Sequence, residues 1–344
     1  MSNPQPSKAN QEMPPSAQLT EMIFGFIPAQ AIATAAKLGI ADLLKDGPRK
    51  VDDLARASGT HNRSLYRLLR ALASVGVFAE EADGTFRLTP IAEFLRSDVP
   101  GSLRAFSIYF GADFHLRVWE DLLFSVTHGK PVFNHIHQKG VFEYFEDNSE
   151  HAKIFNDAMT SFSASVSAPI VDAYDYSGIG KLADVGGGHG LLLSTILKKY
   201  PAMKGILYDA GSVVAGAKNL VASQGVSERC DLVAGDFFES TPAADAYIMK
   251  HIIHDWEDEK SIRILRNCRQ SMTGNGKVLV VEMVVPEGNT SSPSKFLDLE
   301  MLLFLHSYER TEKEYAALFE KAGFRLTRVV PTESPYSIVE GVRV

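Results

Sequence analysis

The chain has 344 residues, 45% hydrophobic and 22% charged, the composition of an ordinary globular protein with room for one large or two modest domains. Its formal net charge of -7 argues against a nucleic-acid partner held by bulk electrostatics. Two cysteines, Cys230 and Cys268, make no disulfide framework and fit a reducing, cytoplasmic compartment.

Residues 1–18 are polar and proline-rich, without the apolar core of a signal peptide, and are expected to form a disordered tail. From Leu19 to Leu44 the chain is strongly apolar. Ile23, Phe24, Phe26 and Ile27 lead through Pro28 into an alanine-rich helix. Pro28, Gln30 and Lys37 interrupt it, so there is no unbroken run of about 20 apolar residues to span a bilayer. A helix apolar on most sides is expected at a dimer interface, with packing inside one subunit as the alternative.

Residues 51–97 have the rhythm of a winged helix. A short helix begins at Val51-Asp52-Asp53 and stops at Gly59. A second helix carries Leu65, Leu68, Leu69 and Leu72 on one face. Val75–Phe78 and Thr85–Leu88 then form a hairpin around Asp83-Gly84. His61, Asn62, Arg63, Arg67 and Arg70 on the second helix would suit DNA. The wing carries Glu80, Glu81 and Asp83, the wrong sign for a phosphate backbone, and favours a scaffold reused for dimerisation. Residues 100–175 read as helical linkage dense in aromatic rings, from Phe106 and Tyr109 to Phe155 and Phe162. Such rings usually form core, and they also suit the wall of a pocket for a flat molecule. His135-x-His137 has the residue types of a metal site. On a helix the two rings diverge, and with no further ligand in view no metal is expected.

From residue 181 strand and helix alternate. Strands are expected near 182–185, 205–209, 231–235, 245–250, 277–284, 324–330 and 337–343. Helices are expected near 190–199, 212–223, 258–272, 295–305 and 311–322. This alternation predicts an α/β fold with a mainly parallel sheet covered on both faces, one of the last two strands running antiparallel. The first strand opens a turn, Gly186-Gly187-Gly188-His189-Gly190, that leads into a helix with an apolar face at Leu191, Leu192, Leu193, Ile196 and Leu197. A dinucleotide fingerprint G-x-G-x-x-G needs glycine at 191, where Leu191 stands. The turn is either a bare βα connection or a seat for S-adenosylmethionine. The latter has no phosphate and needs only close backbone approach, with Asp209 at the next strand end to accept from the ribose hydroxyls. Ligands of open α/β sheets lie beyond the carboxyl ends of the strands. Two further ends carry polar residues. Gly235-Asp236-Phe237-Phe238 offers an acceptor for an adenine amino group and a ring for its face, or simply a helix cap and a core ring. Lys250-His251-Ile252-Ile253-His254-Asp255-Trp256 sets two histidines and an acid just past a strand, as a reactive group or simply as a solvent-facing histidine next to a cap.

The ordered set Asp184–Gly190, Gly235–Phe238, Lys250-x-x-x-His254-Asp255-Trp256, Val281-Glu282 and Glu309-Arg310-Thr311 resembles the plant caffeate-type and acetylserotonin-type O-methyltransferases and their microbial relatives, over about residues 20 to 344. The resemblance implies a seven-stranded, Rossmann-like methyltransferase sheet in residues 101–344. In front of it stands a helical winged-helix dimerisation domain in residues 19–100, while residues 101–175 form a helical linker and acceptor-pocket wall. It implies that Gly186, Gly188, Asp209, Asp236, Phe237 and Lys250 contact S-adenosyl-L-methionine. It implies His254 as general base with Glu282 and Glu309 beside it, and Met159, His251, Asp255, Met301 and Leu305 around the acceptor. The sequence departs from the family at His306-Ser307-Tyr308, where many members carry a glycine pair, and at His251, where plant members often have Trp. The expected activity is methyl transfer to a hydroxyl of an aromatic small molecule by a homodimer that binds neither nucleic acid nor membrane. The alternatives are a family member using the pocket for a non-methylating transformation, and a cofactor-sensing DNA-binding protein.

Overall fold

The structure, a computed structural model, describes residues 13–344, so residues 1–12 of the expected tail lie outside the described residues. The chain separates into two compact units between Ala112 and Asp113.

In the first unit helix α1 (Pro15–Phe24) begins four residues before the expected end of the tail, because Pro15 sits in its first turn, where a missing N–H costs nothing. It is followed by α2 (Phe26–Lys37), α3 (Ile40–Leu43), β1 (Arg49–Lys50), α4 (Val51–Ser58), α5 (Asn62–Ser74), β2 (Phe78–Glu80), β3 (Thr85–Leu88) and α6 (Arg104–Phe110). The three short strands pair antiparallel in the order β1-β3-β2, which completes the winged helix. The leucine face of α5 buries Leu65, Leu69 and Leu72 with Leu54, Phe78 and Phe86. The first wing strand begins three residues later than expected and runs on to Glu80. Gly76 adopts φ 79° and Val77 N–H donates to Leu72 O at 3.0 Å, so residues 75–77 close α5 rather than pair. Wing acids are occupied locally: Glu81 pairs with Arg87, and Asp83 accepts from the Thr85 N–H and hydroxyl. By length and composition alone Pro15–Lys37 suffices to cross a bilayer, with mean hydropathy 1.3, which amends the expectation drawn from its interruptions. Its apolar residues lie open within the unit: Met22 is 75% exposed and Phe26 65%.

The second unit opens with short helices α7 (Asp113–Trp119), α8 (Leu122–His128), α9 (Val132–His137) and α10 (Val141–Asp147), then the 25-residue α11 (Ser149–Ala173). There follow β4 (Lys181–Val185), α12 (Leu191–Lys199), β5 (Lys204–Asp209), α13 (Gly211–Ser223), β6 (Cys230–Ala234), β7 (Ala244–Lys250), α14 (Asp258–Ser271), β8 (Met272–Glu282), α15 (Ser294–Phe304), α16 (Glu312–Ala322), β9 (Phe324–Pro331) and β10 (Ser337–Arg343). The sheet order is β6-β5-β4-β7-β8-β10-β9, with only β10 antiparallel to its neighbours. Alternate residues of each strand enter two cores. Leu182, Ile248, Leu279 and Val281 pack on one face, and Ala183, Tyr247, Met249, Val278 and Val280 on the other. Strand β8 starts five residues earlier than expected. Residues 273–276, expected to lie between a helix and a strand, are carried through an irregularity in the pairing with β7 around Ala244–Ala246.

Candidate active site

Strand order brings β5, β4, β7 and β8 side by side, so their carboxyl ends form one ledge. At its centre Gly186, Gly188 and Gly190 take φ 68°, 58° and 80°, conformations that side chains disfavour. A Cβ on Gly186 would meet Ile252 Cδ1 at 2.2 Å, and one on Gly187 would meet Leu207 Cδ1 at 2.4 Å. The turn is therefore bare backbone, pressed against the segment that carries both histidines. Asp209 lies beside it and accepts from Gly188 N–H at 2.8 Å and Ala210 N–H at 2.7 Å. Burial raises its pKa against those two bonds. Phe237 Cε1 comes within 3.8 Å of the Gly186 Cβ position. Exposed Asp236 accepts from Phe238 N–H at 2.8 Å, the cap-like contact open to it in the sequence. Bare backbone, an acid at the next strand end and a ring at the third are the features a nucleoside with an amino-acid tail requires, and they fit S-adenosylmethionine.

Charges cross the ledge in a row. Asp184 is buried and its pKa is pushed up to about 7 by that burial, with the Lys250 charge opposing. Burial lowers the pKa of Lys250 in turn, against the charges of Asp184 and Glu282. Beyond Lys250 the chain makes a single turn of 3-10 helix, Ile253–Asp255, that holds His254 at 4% exposure. Arg310, wholly buried, clamps that turn by donating to Ile253 O and Trp256 O, both at 2.9 Å, while it pairs with Asp258 at 2.9 Å. Glu282 Oε1 accepts from the N–H groups of Ile252 and Ile253 at 3.1 and 3.2 Å. His254 Nδ1 meets Glu309 Oε1 at 2.6 Å and lies 3.5 Å from Glu282 Oε2, while Nε2 is 3.4 Å from Asp255 Oδ1. Burial alone would lower the imidazole pKa. The charges of Glu282, Glu309 and Asp255 and the bond to Glu309 outweigh it and lift the value to about 10. Burial raises the carboxyls of Glu282 to about 7 and Asp255 to about 6.

His254, Glu282 and Glu309 present ligand-type atoms within 4.8 Å of one another, a set that sequence reading did not assign to a metal. The 2.6 Å edge is the length of a shared proton. Two ligands about 2.0–2.2 Å from one ion stand roughly 3 Å or more apart. His135 and His137 diverge: His135 stacks on Phe124 at 4.1 Å, and His137 lies against Phe133 and Tyr144.

His251 takes φ 59° and its Nε2 lies 2.5 Å from the hydroxyl of Tyr336. Its ring is 4.9 Å from that of His254. Met159 lies half-buried on α11, Met301 is buried on α15, and Leu305 caps α15 against the aromatic cluster of α7–α10. Asp298, three residues before Met301 on one helix face, accepts from Glu309 N–H at 2.8 Å, which ties that face to the histidine cluster. The departure at 306–308 is built in. His306 takes φ 55°, a glycine-like conformation, and the Tyr308 hydroxyl donates to Asp258 at 2.6 Å beneath the Arg310 guanidinium. Tyr336, Asp298 and Asp258 escaped sequence reading, since each acts across more than ten residues of chain. Arg310 was visible only as the middle of a motif.

The O-methyltransferase domain family model matches residues 119–325, and the O-methyltransferase dimerisation domain model matches residues 20–98. The chain is 43% identical over 329 residues to the phenazine O-methyltransferase PhzM of Lysobacter antibioticus, with 95% of this chain and 96% of that one covered. It is similar to the solved structure of human N-acetylserotonin methyltransferase in complex with S-adenosylmethionine, at TM-score 0.90 and 25% identity, covering 97% of this chain and 99% of that one. The O-methyltransferase NcsB1 from neocarzinostatin biosynthesis was solved with S-adenosylmethionine and 2-hydroxy-5-methyl naphthoic acid. It matches at TM-score 0.76 and 30% identity, covering 92% of this chain and 96% of that one. The chain belongs to the S-adenosylmethionine-dependent O-methyltransferases of the acetylserotonin type. It is an enzyme of natural-product metabolism that uses S-adenosylmethionine, and its first unit holds the family's dimerisation domain.

Proposed function

We propose that the enzyme methylates a hydroxyl of an aromatic small molecule, with His254 as the general base, Glu309 orienting its ring and Glu282 supporting the turn that carries it. The observation that carries this reading is the 2.6 Å contact of Nδ1 with Glu309, in a segment packed through Ile252 onto the glycine turn. With Nδ1 committed to Glu309, Nε2 is the atom left for a substrate proton. A phenol, pKa about 10, is a weak nucleophile at neutral pH, and removing its proton as the oxygen attacks is worth about 10²–10⁴-fold. The bound cofactor supplies the electrophilic methyl carbon and one positive charge. Any positive charge near the imidazole lowers its pKa towards the neutral form that a base requires. In the same reading Gly186, Gly188, Asp209, Asp236, Phe237 and Lys250 hold the cofactor. Met159, His251, Asp255, Met301 and Leu305 surround the acceptor, and the shared face of Asp298, Met301 and Leu305 supports that grouping. The substrate class draws on relatives whose names specify a phenazine and a hydroxynaphthoic acid. The open apolar residues of α1 and α2 support a homodimer through the first unit, and the buried free cysteines suit a cytoplasmic enzyme.

The test is His254→Ala. S-adenosylhomocysteine formation with a phenolic acceptor is expected to fall by about 10²-fold or more, while calorimetry still detects cofactor binding. Near-normal turnover in the variant refutes the base assignment.

A further inference from the structure

His251 is one of three non-glycine residues among those described with a left-handed backbone. Such a conformation persists only where the surroundings impose it, and it concentrates at ligand sites. Here it follows Lys250 directly at the end of β7 and turns the imidazole toward Tyr336 and His254, with ring centroids 4.9 Å away in each case. Phe162 closes the group from α11, 6.1 Å from the His251 ring and 5.9 Å from that of Tyr336. Met159 lies one helical turn earlier on that same face of α11. Tyr336 is 1% exposed, in the connection between β9 and β10, so its hydroxyl needs a partner and has one in His251 Nε2. Among the described residues the His251 ring makes its hydrogen bond through Nε2, and none runs through the other ring nitrogen, Nδ1.

Burial, with the charges of Lys250 and His254, holds the His251 pKa well below its usual value, so the imidazole is neutral and carries one proton. A phenol is the stronger acid and an imidazole nitrogen the stronger base. The favoured arrangement therefore has the Tyr336 O–H donating to Nε2, which leaves the proton on Nδ1.

We propose that His251 and Tyr336 form a specificity dyad: Tyr336 fixes the tautomer, and His251 Nδ1–H donates to a hydrogen-bond acceptor of the substrate next to the hydroxyl that is methylated. This rests on the aromatic-hydroxyl reading above and narrows it. The substrate class is an aromatic hydroxyl compound bearing a ring nitrogen, carbonyl or carboxylate ortho or peri to the reacting oxygen. Two imidazoles side by side then divide the work, His254 facing the O–H and His251 facing its neighbour.

A matched pair of acceptors tests it. 8-Hydroxyquinoline carries a nitrogen beside the hydroxyl, and 1-naphthol has carbon in its place. Turnover of both is measured in wild type, His251→Ala, His251→Asn and Tyr336→Phe, together with their dissociation constants from the S-adenosylhomocysteine complex. Asparagine tolerates the left-handed backbone and offers an N–H near the position of Nδ1. Wild type is expected to prefer 8-hydroxyquinoline by about tenfold, the typical worth of one hydrogen bond. The ratio should collapse towards one in His251→Ala, recover in part in His251→Asn, and shrink less in Tyr336→Phe. A ratio that is unchanged in His251→Ala overturns the dyad, as does an equal loss on both acceptors. A binding preference that disappears in His251→Ala supports the dyad even where no methyl group moves, and that outcome would instead sink the methyl-acceptor reading.

Discussion

Two buried acids on neighbouring strands have opposite fates. Glu340 on β10 lies 6% exposed, and burial alone would raise its pKa. Hydrogen bonds from Thr327, Tyr174 and Arg328, with the Lys277 charge, pull it down to about 2. Glu282 on β8 is wholly buried. One of its oxygens has only backbone N–H partners, the other has no hydrogen-bond partner among the described residues, and its pKa is lifted to about 7. The difference is one of donor supply. Glu340 sits where four donors arrive and is a structural anion. Glu282 sits beside two other carboxylates and one imidazole, an arrangement that stores a proton at the expense of stability. Strained or under-satisfied groups of this kind are what a functional site retains.

Glu309→Gln should lower turnover by about 10²-fold, because it removes the negative charge that holds the His254 tautomer and stabilises its imidazolium. It should also move the rising limb of the pH–rate profile to lower pH, since it removes one of the charges that hold the imidazole near 10. A limb that stays in place shows that Glu309 is not electrostatically coupled to the base. Next comes Glu340→Ala, expected to cost about 1–3 kcal/mol in urea unfolding, because Tyr174, Thr327 and Arg328 lose their shared acceptor. The same measurement on Glu282→Gln should give no loss, or a gain of up to about 1 kcal/mol, while turnover falls. Equal destabilisation by the two substitutions would show that Glu282, like Glu340, is a structural anion.

The smallest effect concerns pH. Glu340 has a folded pKa of about 2 against 4.5 unperturbed, so it binds protons more weakly when folded. Its contribution is fully present above 4.5 and is lost as pH falls through about 2. His254 has a folded pKa of about 10 against 6.5, so its contribution is full below 6.5 and is lost as pH rises through about 10. Thermal unfolding across pH should show the acid shoulder flattened in Glu340→Gln and the alkaline shoulder flattened in His254→Ala.

Local patterns were legible wherever one element supplied its own reason. The glycine turn, the apolar face of α12 and the wing around Gly84 each announce themselves within a few residues. Errors arose where a local signal met a long-range partner. Residues 273–276, expected between helix and strand, belong to β8, and the proline-rich approach to α1 turned helical at Pro15. Within the site, His254, Glu282 and Glu309 came with motifs, whereas Tyr336, Asp298 and Asp258 had no signature around them.

The sequence by itself determined which segments alternate between strand and helix and where backbone must lie bare, because hydrophobic period and glycine conformation are properties of neighbouring residues. It also carried the motifs that place the chain in its family. Only the tertiary structure decided that Glu309 reaches His254, that Arg310 locks the turn between them and that Tyr336 meets His251. Those contacts join residues 55, 57 and 85 positions apart. Strand order, with β7 beside β8 and β10 folded back antiparallel, brings them together, and that order is set by packing the whole sheet.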